Sequence, residues 1–467
     1  MASGNIKATF STQPHNNIKI LLDSTKAQYD SMARQYNEGS KYYQNESSVT
    51  KTGAAGIDEV NNYLKTLGKN PLKSANNKIP TNWHKILTDQ KIGYLFTYPP
   101  QIDIGDDDTN TLIKETLGDD YEQVIKQLGV DSSNGGISWL TYWYNTGEPF
   151  EYYFVSPLQV IPIYDSTSIK PKIKQLIRFY KSTNVAGKEI TKYELWDDKK
   201  VDYYEGDENT FTFIETKKHT YGEIPFIPFK NNATATSDLK MYKELIDAID
   251  KLISGFANDI DDIQEIIWVI KNYAGADSAI DYDKDGNEVE RTIDLRQELK
   301  AKKLIKVDEN GGVDALKGEI PCEARCKFYD ILIKQLYISA MAVDPNPEKT
   351  GNATGTYIKF LYSLLELKAG LMETEYRPQL NRFIRAILKY LGKDGKAKIQ
   401  QTWTRNKPSN DVEVVQMIAQ TPSTVLSDET KTKEHPLTDD FNAERERIEK
   451  EQTELAKNML DDVGGDE

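Results

Sequence analysis

Residues 281–287 carry the pattern in this chain that most resembles a metal site. Three aspartates alternate with Tyr and Lys, and Gly286 stands where a calcium-binding loop turns sharply. The twelfth position of such a loop requires a glutamate that binds through both oxygens, but Thr292 occupies it and Glu290 is only close by. Asp and Gly in this order are also typical of a hairpin turn. We therefore expect a hairpin turn and keep a calcium-dependent binding module as an alternative.

Motifs for other chemistries are incomplete. A phosphate-binding loop needs glycines followed by Lys and Ser or Thr, and Gly-Asn-Ala-Thr-Gly at 351–355 lacks that ending. None of the four histidines stands in a His-Glu-x-x-His frame, and no Gly-x-Ser-x-Gly elbow occurs. Cys322 and Cys326 supply only two zinc ligands, so we expect buried, reduced thiols there. The acidic excess alone motivates a second alternative, a carboxylate-metal nuclease.

Charge and composition narrow the classes of function further. The 467 residues include 59 Lys and Arg against 73 Asp and Glu, a net charge of −14. This balance argues against a surface that holds nucleic-acid phosphates, because such affinity depends mainly on Lys and Arg. With 38% hydrophobic residues, 27 Tyr and 6 Trp, most of the chain should fold, into about two to four structural units. No apolar stretch approaches the ~20 residues that span a bilayer and no secretory signal is visible, which makes the cytoplasm the default location.

The elements that would position any site change in character along the chain. Residues 1–17 are polar and predict an arm that is disordered or ordered only by a neighbour. Helical patterns follow at 23–45, 86–94 and 109–129. Between 136 and 218, seven short aromatic and β-branched runs separated by turn signals predict a mostly antiparallel sheet.

A long helical hairpin is predicted next. An extended linker at 222–232 leads to Ser237, a helix N-cap, after which apolar residues repeat at alternating spacings of four and three as far as Ile270. Such a seam needs a helical partner, and the helix predicted at about 323–342 is its natural antiparallel mate. Residues 271–318 are expected to form a small, mixed, exposed module at the tip of this hairpin.

The last part of the chain is predicted to be mainly helical. A third long helix should run from about 355 to 391, and Pro378 should kink or loosen it. A strand is expected at 398–404, followed by helices with charged faces and a Gly/Asp/Glu tail.

Several short motifs follow one another between about residues 20 and 450. They are Asn-Lys-Ile-Pro at 77–80 with Trp83, Lys-Ile-Gly-Tyr-Leu-Phe at 91–96, the linker 222–232 with Ser237, Leu-Ile-Asp-Ala-Ile-Asp-Lys at 245–251, Asn-Ala-Thr-Gly-Thr at 352–356, Leu-Glu-Leu-Lys at 365–368, Asn-Lys-Pro at 406–408, Ser-Asp-Glu-Thr at 427–430 and Glu-Arg-Glu-Arg-Ile-Glu at 444–449. No single motif is specific. Because the motifs occur in this order, however, the chain resembles the portal proteins of tailed double-stranded-DNA bacteriophages, in the version found in phages of Gram-positive hosts.

The resemblance implies an α+β fold, the phage portal fold. Its parts would be an N-terminal arm at 1–17, an α/β wing of helices plus antiparallel sheet at 18–236, a first stem helix at 237–270, a small mixed clip at 271–322, a second stem helix at 323–342, a tunnel loop at 343–356, a long kinked wing helix and strand at 357–404, a helical crown at 405–460 and a disordered acidic tail at 461–467.

The resemblance also implies a function without an active site or a cofactor. It implies a ring of about twelve subunits at one capsid vertex of the virion, assembled in the host cytoplasm and not in a membrane. The ring would be the channel for packaging and ejection of double-stranded DNA. It would also be the docking platform for the terminase large subunit and for head-completion or adaptor proteins, and it would contact scaffold and major capsid proteins. An acidic channel wall would let the duplex slide, because it does not bind phosphates tightly.

Candidate site residues follow from the same resemblance, and none of them has a catalytic, metal or cofactor role. In the tunnel loop, the candidates to contact DNA are Asn346, Glu348, Lys349, Asn352 and Thr354. On the stem, the candidates to face the channel are Lys327, Lys334, Asp259 and Asp262. In the clip, the candidates to bind partner proteins are Asp283, Asp285, Glu290 and Arg291.

Overall fold

The chain forms two compact units in the structure, a computed structural model. The first, here called the body, comprises Met1–Tyr43, His84–Tyr242 and Tyr337–Glu467. The second, here called the hairpin unit, comprises Gln44–Trp83 and Lys243–Leu336. The residues that the structure describes are 15–51, 76–145, 147–167, 169, 172–183, 187, 189–206, 210–262, 267–271, 278–282, 288–292, 312–316, 321–345, 355–406, 411–438 and 441–463.

Helices make up much of both units. In chain order, helices α1 to α12 of the described residues are His15–Tyr43, Ser48–Lys51, Trp83–Phe96, Asp107–Leu117, Tyr121–Gly135, Lys243–Asp262, Cys322–Ala340, Gly355–Leu361, Ser363–Tyr390, Asp411–Gln420, Asp428–Lys433 and Phe441–Val463. The single helix expected at 109–129 is wrong: Gly118 takes a φ of 60° and separates α4 from α5. The helix expected over 355–391 is likewise divided at Tyr362 into α8 and α9, and Pro378 lies inside α9.

The strands pair antiparallel throughout the described residues, as the sequence predicts for 136–218. In chain order, strands β1 to β14 are Gln101–Asp103, Ile137–Trp143, Glu151–Val155, Val160–Tyr164, Ile173–Thr183, Glu189–Trp196, Lys200–Gly206, Phe211–Lys218, Phe226–Lys230, Ile267–Lys271, Ser278–Tyr282, Glu288–Thr292, Gly312–Leu316 and Gln400–Thr402. In the body, β4 to β8 form a five-stranded meander, β3-β2-β9 form a three-stranded sheet, and β1 pairs with β14.

The linker expected at 222–232 contains β9, which completes the three-stranded sheet. Ile227 lies opposite Leu140 in this register, and Lys230 lies opposite Ile137. Two prolines flank and interrupt the run Ile-Pro-Phe-Ile-Pro-Phe, which is why its strand character was missed from sequence. β9 is an edge strand, where a proline that lacks an N–H can be accommodated.

The main core of the body surrounds one face of α9. The buried side chains of this face are Leu365, Ala369, Met372, Tyr376, Leu380, Phe383, Ile384 and Ile387. They belong to one hydrophobic cluster with residues of α3, α4, α5, β2 and β9, including Phe96, Leu128 and Phe229. Burial of this set stabilises the packing of α9 against the sheet and the helices.

In the hairpin unit, α6 and α7 carry the expected hairpin. Arg325 of α7 forms an ion pair with Asp259 of α6, and its guanidinium lies 5.6 Å from the ring centre of Phe256. Near the start of α6, Asp250 accepts hydrogen bonds from the hydroxyls of Ser47 and Thr81 and, at 2.9 Å, from the Thr81 N–H.

The stem helix expected at 237–270 is shorter than predicted. Ser237 caps a 3₁₀ turn, and α6 runs only from Lys243 to Asp262. Residues Ile267–Lys271 form strand β10, which pairs with β13. The apolar residues there continue the helical spacing, but a short β-branched run also suits a buried strand, and pairing with a distant segment decides between the two.

The expectation of buried cysteines is wrong. Cys322 and Cys326 are free thiols and both are exposed. They lie in the first two turns of α7, and the buried residues of this helix start only at Leu332. At the end of the chain, α12 continues to Val463, so the expected disordered tail does not begin at 461. Among the described residues, no helix has the length and apolarity needed to cross a bilayer.

Candidate functional site

A buried ionic cluster holds the places where the hairpin leaves the body. We call residues 237–242 and 337–343 the hairpin roots. Lys91 Nζ of α3 lies 2.6 Å from Asp238 Oδ2 in the first root, and Lys368 Nζ of α9 lies 3.1 Å from the same oxygen. Lys368 also donates to the carbonyl of Ala340, the last residue of α7, at 3.0 Å. One lysine thus contacts both roots.

Asn231 completes this group, which we call the root cluster: Lys91, Asn231, Asp238 and Lys368. Its side-chain oxygen accepts from Lys91 Nζ at 2.7 Å, and its amide donates to Asp238 Oδ1 at 2.8 Å. The same amide donates to the carbonyl of Thr236 at 2.9 Å. All four side chains of the cluster are buried, so these bonds replace those to water that burial removes.

The root cluster holds two ammonium groups and one carboxylate. Burial lowers the pKa of Lys91 to about 8, although the charge of Asp238 opposes that shift. Burial alone would raise the pKa of Asp238, but Lys368 and Lys91 hold it well below its ordinary value. The carboxylate is therefore ionised at neutral pH, and it is the group on which the buried positive charge depends.

A second buried group lies beside it. His84 of α3 makes one hydrogen bond through each ring nitrogen: Nδ1 lies 2.8 Å from the Tyr242 hydroxyl, and Nε2 lies 2.9 Å from Asn134 Oδ1. Burial lowers the pKa of His84 to about 4 and raises that of Tyr242 well above its ordinary value. A neutral ring that accepts from Tyr242 and donates to Asn134 satisfies both contacts.

The second root is also clamped through its backbone. Gln90 Nε2 donates to the carbonyl of Val343 at 2.8 Å, and the Val343 N–H donates to Gln90 Oε1 at 3.0 Å. Helix α3 thus supplies His84 and Lys91 to the first root and Gln90 to the second. These groups are bonded to one another inside the body, so the arrangement is suited to fixing two chain segments rather than to acid–base chemistry.

Sequence reasoning missed the root cluster. A signal was present for Lys91, which stands between Leu87 and Leu95 at the four-residue spacing of an apolar helix face. A lysine on such a face is buried only when it is paired. Its partners are distant in sequence, and no spacing rule points to them.

Comparison with known proteins decides the family. The model of the family "Phage portal protein, SPP1 Gp6-like" matches residues 22–458. The portal protein of Clostridium phage phiCD119 is 34% identical over 444 residues, which cover 90% of this chain and 93% of the relative. The portal protein of Bacillus phage SPP1 is 32% identical over 459 residues, which cover 92% and 86%. The chain belongs to the phage portal family. The family and the α+β fold expected from the sequence are thereby confirmed.

A solved structure with the description "Neck of native GTA particle computed with C12 symmetry" is also similar to this portal-family chain. It is 15% identical, has a TM-score of 0.38, and the match covers 76% of this chain and 88% of that chain.

The candidate stem residues of this portal-family chain lie on the two hairpin helices. Asp259 is paired with Arg325, which the sequence did not predict. Lys327 is exposed and lies 2.6 Å from Glu323, one turn earlier in α7. Lys334 is exposed on the same helix, and Asp262 is the last residue of α6.

Only some of the clip and tunnel-loop candidates lie among the residues that the structure describes. Glu290 and Arg291 lie in β12, opposite Ile280 and Ala279 of β11, with which β12 pairs antiparallel. The segment for which the sequence favours a turn over a calcium loop lies, at 283–287, outside the described residues. The remaining candidates lie outside the described residues: Asn346, Glu348, Lys349, Asn352, Thr354, Asp283 and Asp285. Among the side chains that the structure describes, no three of His, Cys, Asp or Glu are grouped so as to hold a metal ion.

Proposed function

We propose that the chain is the portal protein of a tailed phage: a ring-shaped oligomer at one capsid vertex that forms the channel for packaging and ejection of double-stranded DNA. The observation that carries the proposal is the family match over residues 22–458, together with two portal proteins aligned over 90% or more of this chain. The match spans both units, so it concerns the whole architecture and not one shared domain.

The physical character of the chain supports this role. A net charge of −14 disfavours tight binding to phosphates. Weak binding is what a channel needs if DNA is to slide through it. The root cluster fixes the two hairpin roots to α3 and α9 within the body, which suits segments that must keep their position while DNA and partner proteins act on the protein.

The finer assignments extend the proposal. The ring would contain about twelve subunits, closed by a heterologous interface. It would be assembled in the host cytoplasm and become part of the virion. It would bind the terminase large subunit, head-completion or adaptor proteins, scaffold and major capsid proteins, and it would need no cofactor and have no active site.

Three groups of residues would perform this work. The tunnel-loop residues would touch the duplex transiently, since a loop with both Glu348 and Lys349 combines repulsion and attraction for phosphates. Lys327, Lys334, Asp259 and Asp262 would face the channel. Asp283, Asp285, Glu290 and Arg291 would meet partner proteins at the tip of the hairpin.

Native mass spectrometry and negative-stain electron microscopy of the purified protein test the proposal. We expect closed rings of about twelve or thirteen subunits with a central hole. A chain that stays monomeric at high concentration and with its scaffold protein contradicts the proposal. The nuclease alternative predicts Mg²⁺-dependent cleavage of DNA that a single Asp→Asn change abolishes. Protein that does not cleave DNA in the presence of Mg²⁺ excludes this alternative.

A further inference from the structure

An exposed apolar stripe runs along the first turns of α9. Its members, which we call the outer stripe, are Phe360 of α8 and Leu364, Leu367 and Leu371 of α9. They are 41% to 74% exposed and follow one another at spacings of four, three and four residues. The opposite face of the same turns is buried in the main core, through Leu365, Ala369 and Met372. A helix that is apolar on both sides is normally covered on both sides.

Gly370 lies in α9 beside this stripe. Glycine in a helix interior costs about 0.5–1 kcal/mol relative to alanine. A Cβ placed on Gly370 would meet no atom within 4 Å, so packing within the chain does not demand glycine here. The missing Cβ leaves room for a second polypeptide to approach the backbone of α9 closely beside the outer stripe.

A second stripe lies on α7. Its members, which we call the α7 stripe, are Phe328, Ile331 and Ile338, all 50% to 61% exposed. Their spacings of three and seven residues keep them on one side of the helix, whereas Leu332 and Leu336 on its other side are buried. Other exposed apolar residues of the described chain include Ile20 and Leu437, and single exposed apolar residues are normal on a protein surface.

We infer that the outer stripe of one copy of this chain packs against the α7 stripe of the next copy. This rests on the proposed function, because a closed ring is built from a heterologous interface in which each subunit contributes two different surfaces. The described residues present two such surfaces, the outer stripe and the α7 stripe, and both are apolar. Their lengths also agree: at ~1.5 Å per residue, Leu364 to Leu371 spans about 10 Å before Phe360 is added, and Phe328 to Ile338 about 15 Å.

A charge placed on the outer stripe tests the inference. Leu367→Arg changes an exposed residue to a good helix former, so the single chain should keep its circular dichroism spectrum and its melting temperature. We expect rings to be lost and monomers to remain in native mass spectrometry. The matched control is Ile20→Arg, which also charges an exposed apolar residue on a body helix and should leave rings intact. Rings that persist in Leu367→Arg, or that are lost equally in Ile20→Arg, overturn the inference.

Cysteine cross-linking tests which surfaces meet. In a background with Cys322→Ser and Cys326→Ser, the double variant Leu367→Cys with Ile331→Cys should give a ladder of covalent oligomers on oxidation. Each single variant should remain monomeric on a denaturing gel, because a heterologous contact brings two different positions together. Dimers from Leu367→Cys alone, or no ladder from the double variant, contradict the pairing.

The outcomes separate the inference from the proposed function. Wild-type protein that forms no ring contradicts both of them. Wild-type rings that survive Leu367→Arg contradict the inference alone. Gly370→Ala adds an independent readout: it should raise the melting temperature of monomeric protein and weaken ring formation, and an alanine variant that assembles as well as the wild type counts against close packing at this position.

Discussion

Acid should destabilise the body through His84. In the unfolded chain this ring takes up a proton near its ordinary pKa of 6.5, but in the folded chain burial holds the pKa at about 4. Between these values the unfolded state binds more protons than the folded state, so the free energy of unfolding falls as the pH falls. The full gap is worth about 3 kcal/mol, of which about 2 kcal/mol should be lost between pH 7.5 and pH 5.

The structure explains why the proton is resisted. The ring is fully buried, and its two nitrogens are already engaged by the Tyr242 hydroxyl and by Asn134 Oδ1. A charged imidazolium would have to donate through both nitrogens in a place that water does not reach. The carboxylate of Asp238 favours the charged ring, but the two lysines of the root cluster oppose it.

Denaturant unfolding of monomeric wild type and His84→Gln at pH 7.5, 6 and 5 measures the effect. Glutamine keeps one donor and one acceptor but does not titrate. The difference in unfolding free energy between the two proteins should therefore shrink by about 2 kcal/mol from pH 7.5 to pH 5. Other groups cancel in this difference, including Asp131 and Asp250, whose pKa values burial raises. A difference that does not change with pH would refute the reasoning.

Three further predictions concern other parts of the chain. Asp238→Asn should cost about 3–5 kcal/mol because it leaves two buried ammonium groups unpaired, whereas Lys91→Met leaves one paired and should cost less; equal losses in chemical denaturation would contradict this. Gly39→Ala should lower the melting temperature because its Cβ would meet a backbone carbonyl, while Gly255→Ala in α6 meets no atom within 4 Å and should raise stability by up to ~1 kcal/mol. The sequence favours a hairpin turn over a calcium loop at 281–287, so the melting temperature should be the same in Ca²⁺ and in chelator, and a higher melting temperature in Ca²⁺ would support the calcium loop instead.

Local patterns in the sequence predicted most of the regular elements. Alternating aromatic and β-branched runs located β2 to β8, and helical spacing located α1, α3 and α7. The errors occurred where a local signal supports two structures. Residues 267–270 suit both a helix seam and a strand, and the pairing of β10 with β13 decided for the strand. Similarly, the prolines of β9 hid a strand that its place at a sheet edge permits.

The ordered motifs of the sequence resemble the portal family, and that resemblance implied the family and the α+β class. The helical hairpin was predicted from the sequence alone, because it depends on short-range apolar spacing. Only the tertiary structure decided where buried charge is compensated. Lys91, Asp238 and Lys368 come from three distant parts of the chain, and they meet because the packing of α3 and α9 in one core brings them together. No periodicity encodes such a meeting. Burial makes it obligatory, since each of these charges is stable inside the protein only beside the others.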